Sequence, residues 1–324
     1  MDVVTFGESM VVLAPNSNGP LRHINTFTKS LGGAESNFAI AVSRLNHSIG
    51  WFSKISNDEF GKFILNTIRS EGVDTSRVIV DRENSCGLLF KECYQGKNPN
   101  VYYFRKNSAA SNISEEDIDE EYIKNSKILH ITGITPALSK SCRKAVYKAI
   151  QIAKENNVLI SFDPNIRLKL WDIREAKKVL LDIASHADIV LPGIDEGQLL
   201  LGLEDKDEIC DYFLEKGAKL VCLKLGANGC YLKNKEESVV VNGYDVHDII
   251  ADTAGAGDGF AAGIICGYLE KLSLKEIGEY ANGVGAMATL VKGDCEGYPD
   301  YDKLMSFIGK SKNIEPVSYT HLTL

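Results

Sequence analysis

The feature that most constrains the fold of this chain is the regular alternation of short apolar runs with longer amphipathic stretches. Residues 3–6, 49–55, 128–131, 159–162, 189–191 and 220–223 read as buried strands. Between them, residues 34–45, 59–71, 140–155, 173–184 and 207–216 repeat apolar side chains at helical spacing, and Gly72 and Gly217 stand where helices end. Repeated βα units predict a mostly parallel central sheet covered by helices on both faces, a Rossmann-like three-layer α/β sandwich. Ligands of such folds sit at the carboxyl ends of the strands. Beyond residue 257 the pattern is helical throughout, over 257–270, 274–290 and 301–308.

Two segments break the alternation. Residues 10–30 and 87–105, the latter with a turn at 96–99, lack helical periodicity and are expected to form a small β-sheet standing off the main domain. A β appendage beside a ligand cleft is a natural lid. Its exposed apolar face favours pairing of chains, so a homo-oligomer is expected, a dimer through the lid or something larger. Residues 1–314 are assigned to one domain, and 315–324, with neither helical nor strand logic, are expected to lie outside the fold.

Composition narrows the function. A chain of 324 residues that is 44% hydrophobic and 25% charged can bury one large α/β core. A formal net charge of −8, with no long basic run, argues against a nucleic-acid or acidic-membrane partner. An anionic small molecule would have to be met by a few local cations. The eight cysteines are scattered without a C-x-x-C pair and the six histidines lack metal-ligand spacing, which predicts reduced thiols in a cytoplasmic protein. The sequence opens directly on a strand pattern, without leader features, and no apolar run is long enough to span a bilayer.

The strongest chemical signal is Asp252-Thr-Ala-Gly-Ala-Gly-Asp258, followed at once by an apolar helical pattern. A loop of small residues that opens a helix can turn the amides of Gly255, Ala256 and Gly257 toward one anion, helped by the helix dipole. Asp258 in the first turn is then placed to take a proton from whatever attacks that anion, the minimum equipment for phosphoryl transfer. The dipole is expected to depress the Asp258 pKa and keep it ionised. Alone, such a loop is also an ordinary Gly-rich turn. Neither G-x-x-x-x-G-K-[ST] nor the protein-kinase motifs occur.

Four further stretches carry polar groups at predicted strand ends. Leu31-Gly-Gly-Ala-Glu-Ser-Asn37 places Gly32 and Gly33 before a helix, where a ligand could approach the backbone or a plain N-cap turn could form. Tyr102-Tyr-Phe-Arg105 ends an aromatic extended run on a cation. Asp163, Asn165 and Arg167 follow a buried strand, and Lys224-Leu-Gly-Ala-Asn-Gly229 is a Gly-bounded turn between strands. Two arginines meeting in one pocket would suit a carboxylate. Asn282, Gly283 and Gly285 could admit a flat base, or serve close helix packing.

Taken in order and at these separations, the Gly33, Gly226 and Asp252–Asp258 motifs resemble the ribokinase-like (PfkB) family of sugar kinases, over residues 1 to about 308. The resemblance implies ATP as phosphoryl donor with Mg²⁺, Asp258 as general base, and the amides of Gly255, Ala256 and Gly257 as anion hole. Within the family, Tyr102-Tyr-Phe-Arg-Lys-Asn-Ser-Ala-Ala-Ser111, Asp163-Pro-Asn-Ile-Arg-Leu-Lys-Leu-Trp171 and Val291-Lys-Gly-Asp294 are similar to the 2-keto-3-deoxygluconate kinases. That similarity implies sugar-acid contacts from Gly33, Tyr103, Arg105, Arg167 and Asp294. It also implies a nucleotide side formed by Asn165, Lys224, Gly226, Gly229 and Asn282, and an indirect metal role for Glu196. Asp252 supports a monovalent-cation site in some relatives; stabilising its own turn is the simpler role. Three positions depart from the pattern: Gly193 replaces the usual asparagine three residues before Glu196, Leu89 stands where some relatives carry tyrosine, and Ala254 is small where others vary. The expected reaction is phosphorylation of 2-dehydro-3-deoxy-D-gluconate at its 6-hydroxyl. The rivals are a kinase of a neutral sugar, of fructokinase or ribokinase type, and a catalytically silent nucleotide- or sugar-binding protein.

Overall fold

The computed structural model describes residues 1–94 and 99–310. The predicted turn at 96–99 therefore falls largely, and the predicted tail at 315–324 wholly, outside the described residues. In chain order the regular elements are β1 (Val3–Phe6), β2 (Met10–Pro15), β3 (Phe27–Gly32), α1 (Ala34–Arg44), β4 (Ile49–Phe52), β5 (Lys54–Ser56), α2 (Glu59–Ser70), β6 (Ile79–Asp81), β7 (Gly87–Glu92), β8 (Asn100–Phe104), α3 (Glu120–Lys124), β9 (Ile128–Thr132), α4 (Thr135–Leu138), α5 (Lys140–Glu155) and β10 (Leu159–Asp163). They continue with α6 (Ile173–Ala184), β11 (Ile189–Val190), α7 (Ile194–Leu201), α8 (Lys206–Glu215), β12 (Leu220–Lys224), β13 (Cys230–Lys233), β14 (Ser238–Val241), α9 (Ala256–Leu269), α10 (Leu274–Ala288) and α11 (Tyr301–Phe307).

The large sheet has eight strands in the order β14-β13-β12-β11-β10-β9-β1-β4. From β4 to β12 every neighbour is parallel, and β13 and β14 close the edge as antiparallel strands. Its strands are apolar on both faces because both faces are covered. Val3, Ile49, Trp51 and Cys222 pack into one core with α1, α9 and α10. Val4, Phe6, Leu129, Ile131, Val221 and Leu223 point the other way, into a core built with α5, α6 and α8. Among the described residues no helix is long and apolar enough to cross a membrane.

The run expected to form one strand over 49–55 is in fact two. β4 stays in the large sheet, whereas β5 leaves it to pair with β6. The Ser53 carbonyl between them accepts from the Ile79 amide at 2.9 Å, so the chain changes hydrogen-bonding partner inside a continuous apolar run. An apolar pattern reports burial, not which neighbour a strand pairs with.

The two irregular segments do form a second sheet, of four strands in the order β3-β2-β7-β8. One face carries Met10, Val12, Leu89 and Val101 as a small apolar cluster. The other is aromatic: Phe27, Phe90 and Phe104 meet edge to face at ring separations of 5.7 and 5.6 Å.

Helix capping divides the helices by role. Asp58, Ser139, Asp172, Asp205 and Ser273 cap α2, α5, α6, α8 and α10 with their side chains. In contrast, α1, α7 and α9 begin on Gly33, Gly193 and Gly255 with no side-chain cap. First-turn amides left without a capping side chain can serve a ligand.

Helices α9 and α10 pack through Gly263, where a Cβ would lie 2.5 Å from the Ala281 Cα. We expect Gly263→Val to lower the unfolding free energy by about 1–3 kcal/mol, the usual cost of forcing extra carbon into a filled interface. Chemical denaturation against the wild type measures it.

Candidate active site

Polar residues collect where the parallel strands end. Asp163, Asn165, Arg167, Gly193, Glu196, Lys224, Gly226, Thr253, Ala254, Gly255, Gly257 and Asp258 line a cleft of about 380 Å³ along the carboxyl edge of β10, β11 and β12. A concavity of about 540 Å³ elsewhere, lined by Asp211, Leu214, Glu215, Lys233, Asn234 and Lys235, contains none of these groups.

The turn before α9 is set by one glycine. Gly255 has φ +74°, a backbone that favours glycine, and a Cβ there would fall 1.8 Å from the Asp294 carbonyl oxygen. Its own carbonyl accepts from the Tyr298 hydroxyl at 2.7 Å and from the Gly259 amide at 2.9 Å, which locks the turn. A Cβ on Gly257 would meet nothing within 4 Å, so no side chain crowds the first turn of α9 on the cleft side. Asp252 stabilises the approach by accepting the Ala254 amide at 3.1 Å.

Asp258 is the third residue of α9. Its Oδ2 accepts from Asn37 Nδ2 at 2.9 Å, across the gap to α1. The expectation that the helix dipole would lower its pKa is overturned. Burial pushes the carboxyl up from its ordinary 3.8 to about 7; Asp163 and Glu35 add to the rise, and Asn37 and Arg167 oppose it. Loss of water around a charge outweighs one helix terminus here. The result is a carboxyl poised near neutrality rather than one permanently ionised.

On the opposite wall Lys224 reaches both oxygens of the buried Asp163, at 2.9 and 2.8 Å, with Glu196 Oε2 at 3.9 Å. Burial works against the ammonium, but the two carboxylates outweigh it and raise its pKa, so it stays charged. Glu196 accepts the Ile166 amide through Oε1 and the Gly193 amide through Oε2, both at 2.8 Å, and so ties the two loops together. A Cβ at Gly193 would only touch Glu196, at 3.4 Å, so the position is open to a side chain that this sequence lacks.

The remaining predicted residues fall into two groups. Arg167 is exposed at the cleft, whereas Arg105 lies at the exit of β8 and is paired with the buried Glu8. The Tyr103 ring sits 5.5 Å from the Arg105 guanidinium and 5.4 Å from Lys169 Nζ. Gly33 opens α1 at φ +155°, against the Glu8 carbonyl. Asp294, partly exposed, meets the Lys91 ammonium, which lies between Asp294 at 3.1 Å and Asp252 at 3.0 Å and joins the small sheet to the turn before α9. Gly229, at φ +96°, serves the hairpin between β12 and β13, and Asn282 donates to the Val241 and Asn242 carbonyls, both at 3.0 Å. Neither lines the cleft.

Sequence reasoning passed over Glu8, Glu35, Asn37 and Lys91. Asn37 was within reach, since it sits one helical turn beyond Gly33 in a stretch already singled out. Glu35 is fully buried, with Oε1 accepting from Thr132 and Thr135 and Oε2 without a partner among the described residues, and burial raises its pKa. Nothing in a local pattern marks a carboxyl for that environment.

A family model described as pfkB family carbohydrate kinase matches residues 1–300. The chain belongs to that family. It is 42% identical over 316 residues to the 2-dehydro-3-deoxygluconokinase of Bacillus subtilis, covering 97% of each chain. It is 33% identical to the 2-dehydro-3-deoxygluconokinase of Thermoproteus tenax, covering 92% of this chain and 91% of the other. Among solved structures, an Escherichia coli protein named ribokinase II, in complex with ATP and Mg²⁺, superposes with a TM-score of 0.89 at 30% identity, covering 96% of this chain and 99% of that one. The ribokinase-like architecture expected from the motifs is thereby borne out, and the chain is a carbohydrate kinase by family.

The raised pKa gives two expectations of opposite sign. A carboxyl acts as a base only when ionised, so if Asp258 takes the acceptor's proton, kcat/KM for the acceptor sugar should rise with pH along an acid limb of apparent pKa near 7. For stability, the folded chain holds this proton more tightly than the unfolded chain does. That contribution is present at acid pH and is lost as pH rises through about 7. Asp258→Asn should therefore lower kcat by about 10²–10⁴-fold, yet unfold at a higher temperature than the wild type at pH 8. Kinetics and thermal melts across pH 5 to 9 check both.

Proposed function

We propose that this kinase transfers the γ-phosphoryl group of ATP to the 6-hydroxyl of 2-dehydro-3-deoxy-D-gluconate. The observation that carries the reading is the position of Asp258: the third residue of an uncapped helix, at the edge of the same cleft as Arg167. The 6-hydroxyl attacks the γ-phosphorus in line, and the new O6–P bond forms as the bond from the γ-phosphorus to the β,γ-bridging oxygen breaks. The proton of the hydroxyl passes to Asp258, held in place by Asn37. Amides of Gly255, Ala256 and Gly257 take up the charge on the phosphoryl oxygens.

Lys224, Asn165 and Gly226 border the nucleotide side of the cleft, with Gly229 and Asn282 shaping the hairpin and helix behind it. Mg²⁺ fits as an ion carried on the nucleotide phosphates, where it would neutralise their charge. Both Glu196 oxygens already accept backbone amides, which leaves their remaining lone pairs for a metal-bound water rather than for the metal itself. In this reading Asp252 and Asp294 serve the Lys91 contact, and a separate monovalent cation is not required.

The substrate's carboxylate is assigned to Arg167 and Arg105, with Tyr103 and Gly33 beside them and the small sheet, itself part of the single domain, closing as a lid over the cleft. The aromatic outer face of that sheet, with Phe104 64% and Tyr102 47% exposed, is assigned to pairing of two chains. Light scattering of Phe104→Ser should show a shift toward monomer.

One observation favours a neutral sugar instead: the Arg105 charge is already matched by Glu8. Assays with 2-dehydro-3-deoxy-D-gluconate and fructose side by side decide between them. The acid should be the better substrate, and Arg167→Ala should lower its kcat/KM by roughly 10–150-fold, the value of one charge-assisted hydrogen-bonding partner. Preference for fructose, or an unchanged constant in the variant, defeats the acid-sugar reading.

A further inference from the structure

The chain passes between the large domain and the small sheet at four points, and all four lie in one row. Met10 pairs with Gly32 on one side and Gly87 on the other, and Leu88 pairs with Phe104 in the next strand. The base of the small sheet is thus formed by residues 8–10, 32–33, 87–88 and 104–105. Glu8, between β1 and β2, touches every crossing. A Cβ on Gly33 would lie 2.6 Å from the Glu8 carbonyl oxygen, and one on Gly87 would lie 2.9 Å from Glu8 Oε1. Arg105 Nε donates to Glu8 Oε2 at 2.6 Å, Arg105 Nη2 contacts the same oxygen, and the Ser108 hydroxyl donates to Oε1.

The side chain of Glu8 is 0% exposed and that of Arg105 11%. A carboxylate that far from water is retained only with its charge matched and its lone pairs occupied, and removing either partner leaves the other stranded. Such a pair adds little to stability compared with an apolar pair of similar volume. What it supplies is direction. Glu8 engages the Nε and Nη2 side of the guanidinium, so the plane of the fork is set and its end-on edge, Nη1 with Nη2, remains to meet a second carboxylate bidentately. Arg105 would otherwise be a long, rotamer-rich side chain at the end of an edge strand.

We propose that Glu8 is the positioning residue for Arg105, fixing the guanidinium at the base of the small sheet so that its free edge receives the substrate's carboxylate. The proposal rests on the acid-sugar reading above, and it resolves the observation that counted against that reading. Glu8 does not silence Arg105; it aims it.

The test compares Glu8→Ala, Glu8→Gln, Arg105→Ala and the Glu8→Ala/Arg105→Ala double variant of the full chain. Glu8→Ala should raise KM for 2-dehydro-3-deoxy-D-gluconate by roughly 10–100-fold, in line with the loss of a hydrogen-bonded charge partner, while KM for ATP stays as in the wild type. Glu8→Gln keeps the shape and one acceptor oxygen and should fall between, which also carries the test if the alanine variant does not fold. In the Arg105→Ala background, Glu8→Ala should add little further change, because the two act as one unit. The proposal is overturned if Glu8→Ala raises both KM values together, as a general loosening of the sheet base would. It is overturned equally if the full effect persists without Arg105. Should the wild type leave the sugar acid unphosphorylated, the acid-sugar reading fails by itself. The positioning claim is then read from the Arg105 Nε–H resonance, protected from solvent exchange in the wild type and unprotected in Glu8→Ala; equal protection in both sinks it.

Discussion

Buried charge around this cleft is held mostly by pairing rather than by solvent. Lys224 sits on Asp163, Arg105 on Glu8, and Lys91 between Asp252 and Asp294. Each pair joins two segments distant in sequence, and each lies at or near the carboxyl edge of the large sheet. A protein with net charge −8 that handles anions cannot rely on its overall field to draw them in. It has to keep its cations desolvated and aimed, and a buried cation persists only beside a carboxylate. The architecture of the site follows from that requirement: Asp163 and Lys224 end β10 and β12 of the large sheet, Glu8 follows β1, Asp252 and Asp294 lie in loops, and Lys91 and Arg105 come from the small sheet and its exit.

Asp258, like Glu35, is left out of that pairing. Its neighbours Asp163 and Glu35 are acids, its one described side-chain hydrogen bond comes from the neutral Asn37, and burial raises its pKa to about 7. A carboxyl surrounded by protein and acids accepts a proton far more readily than one in water. That property is useful in a base and costly to the fold, a combination expected where function rather than stability governs a residue.

Helix termini show the same division. Side-chain caps open α2, α5, α6, α8 and α10, whereas glycines open α1, α7 and α9. Gly255 also has no alternative, because the Asp294 carbonyl occupies the space of any Cβ. The turn and the segment around Asp294 are therefore one packed unit, and Lys91 extends it to the small sheet. The cleft, the turn and the small sheet are mechanically continuous.

The sequence by itself determined the alternation of strands and helices, the separateness of residues 10–30 and 87–105, the Gly255–Asp258 turn and the family to which the chain belongs. Those are local properties: periodicity, glycine placement and a contiguous motif survive in one dimension. Tertiary structure alone decided that 49–55 divides between two sheets, that Asp294 meets Lys91, that Asn282 braces the Val241–Asn242 backbone, and that the Asp258 pKa rises rather than falls. Glu8 and Arg105 are separated by 97 positions, and Asn37 and Asp258 by 221. Partnership at such distances depends on how strands are ordered and how much water is excluded between them. Neither quantity is written in any short stretch of residues.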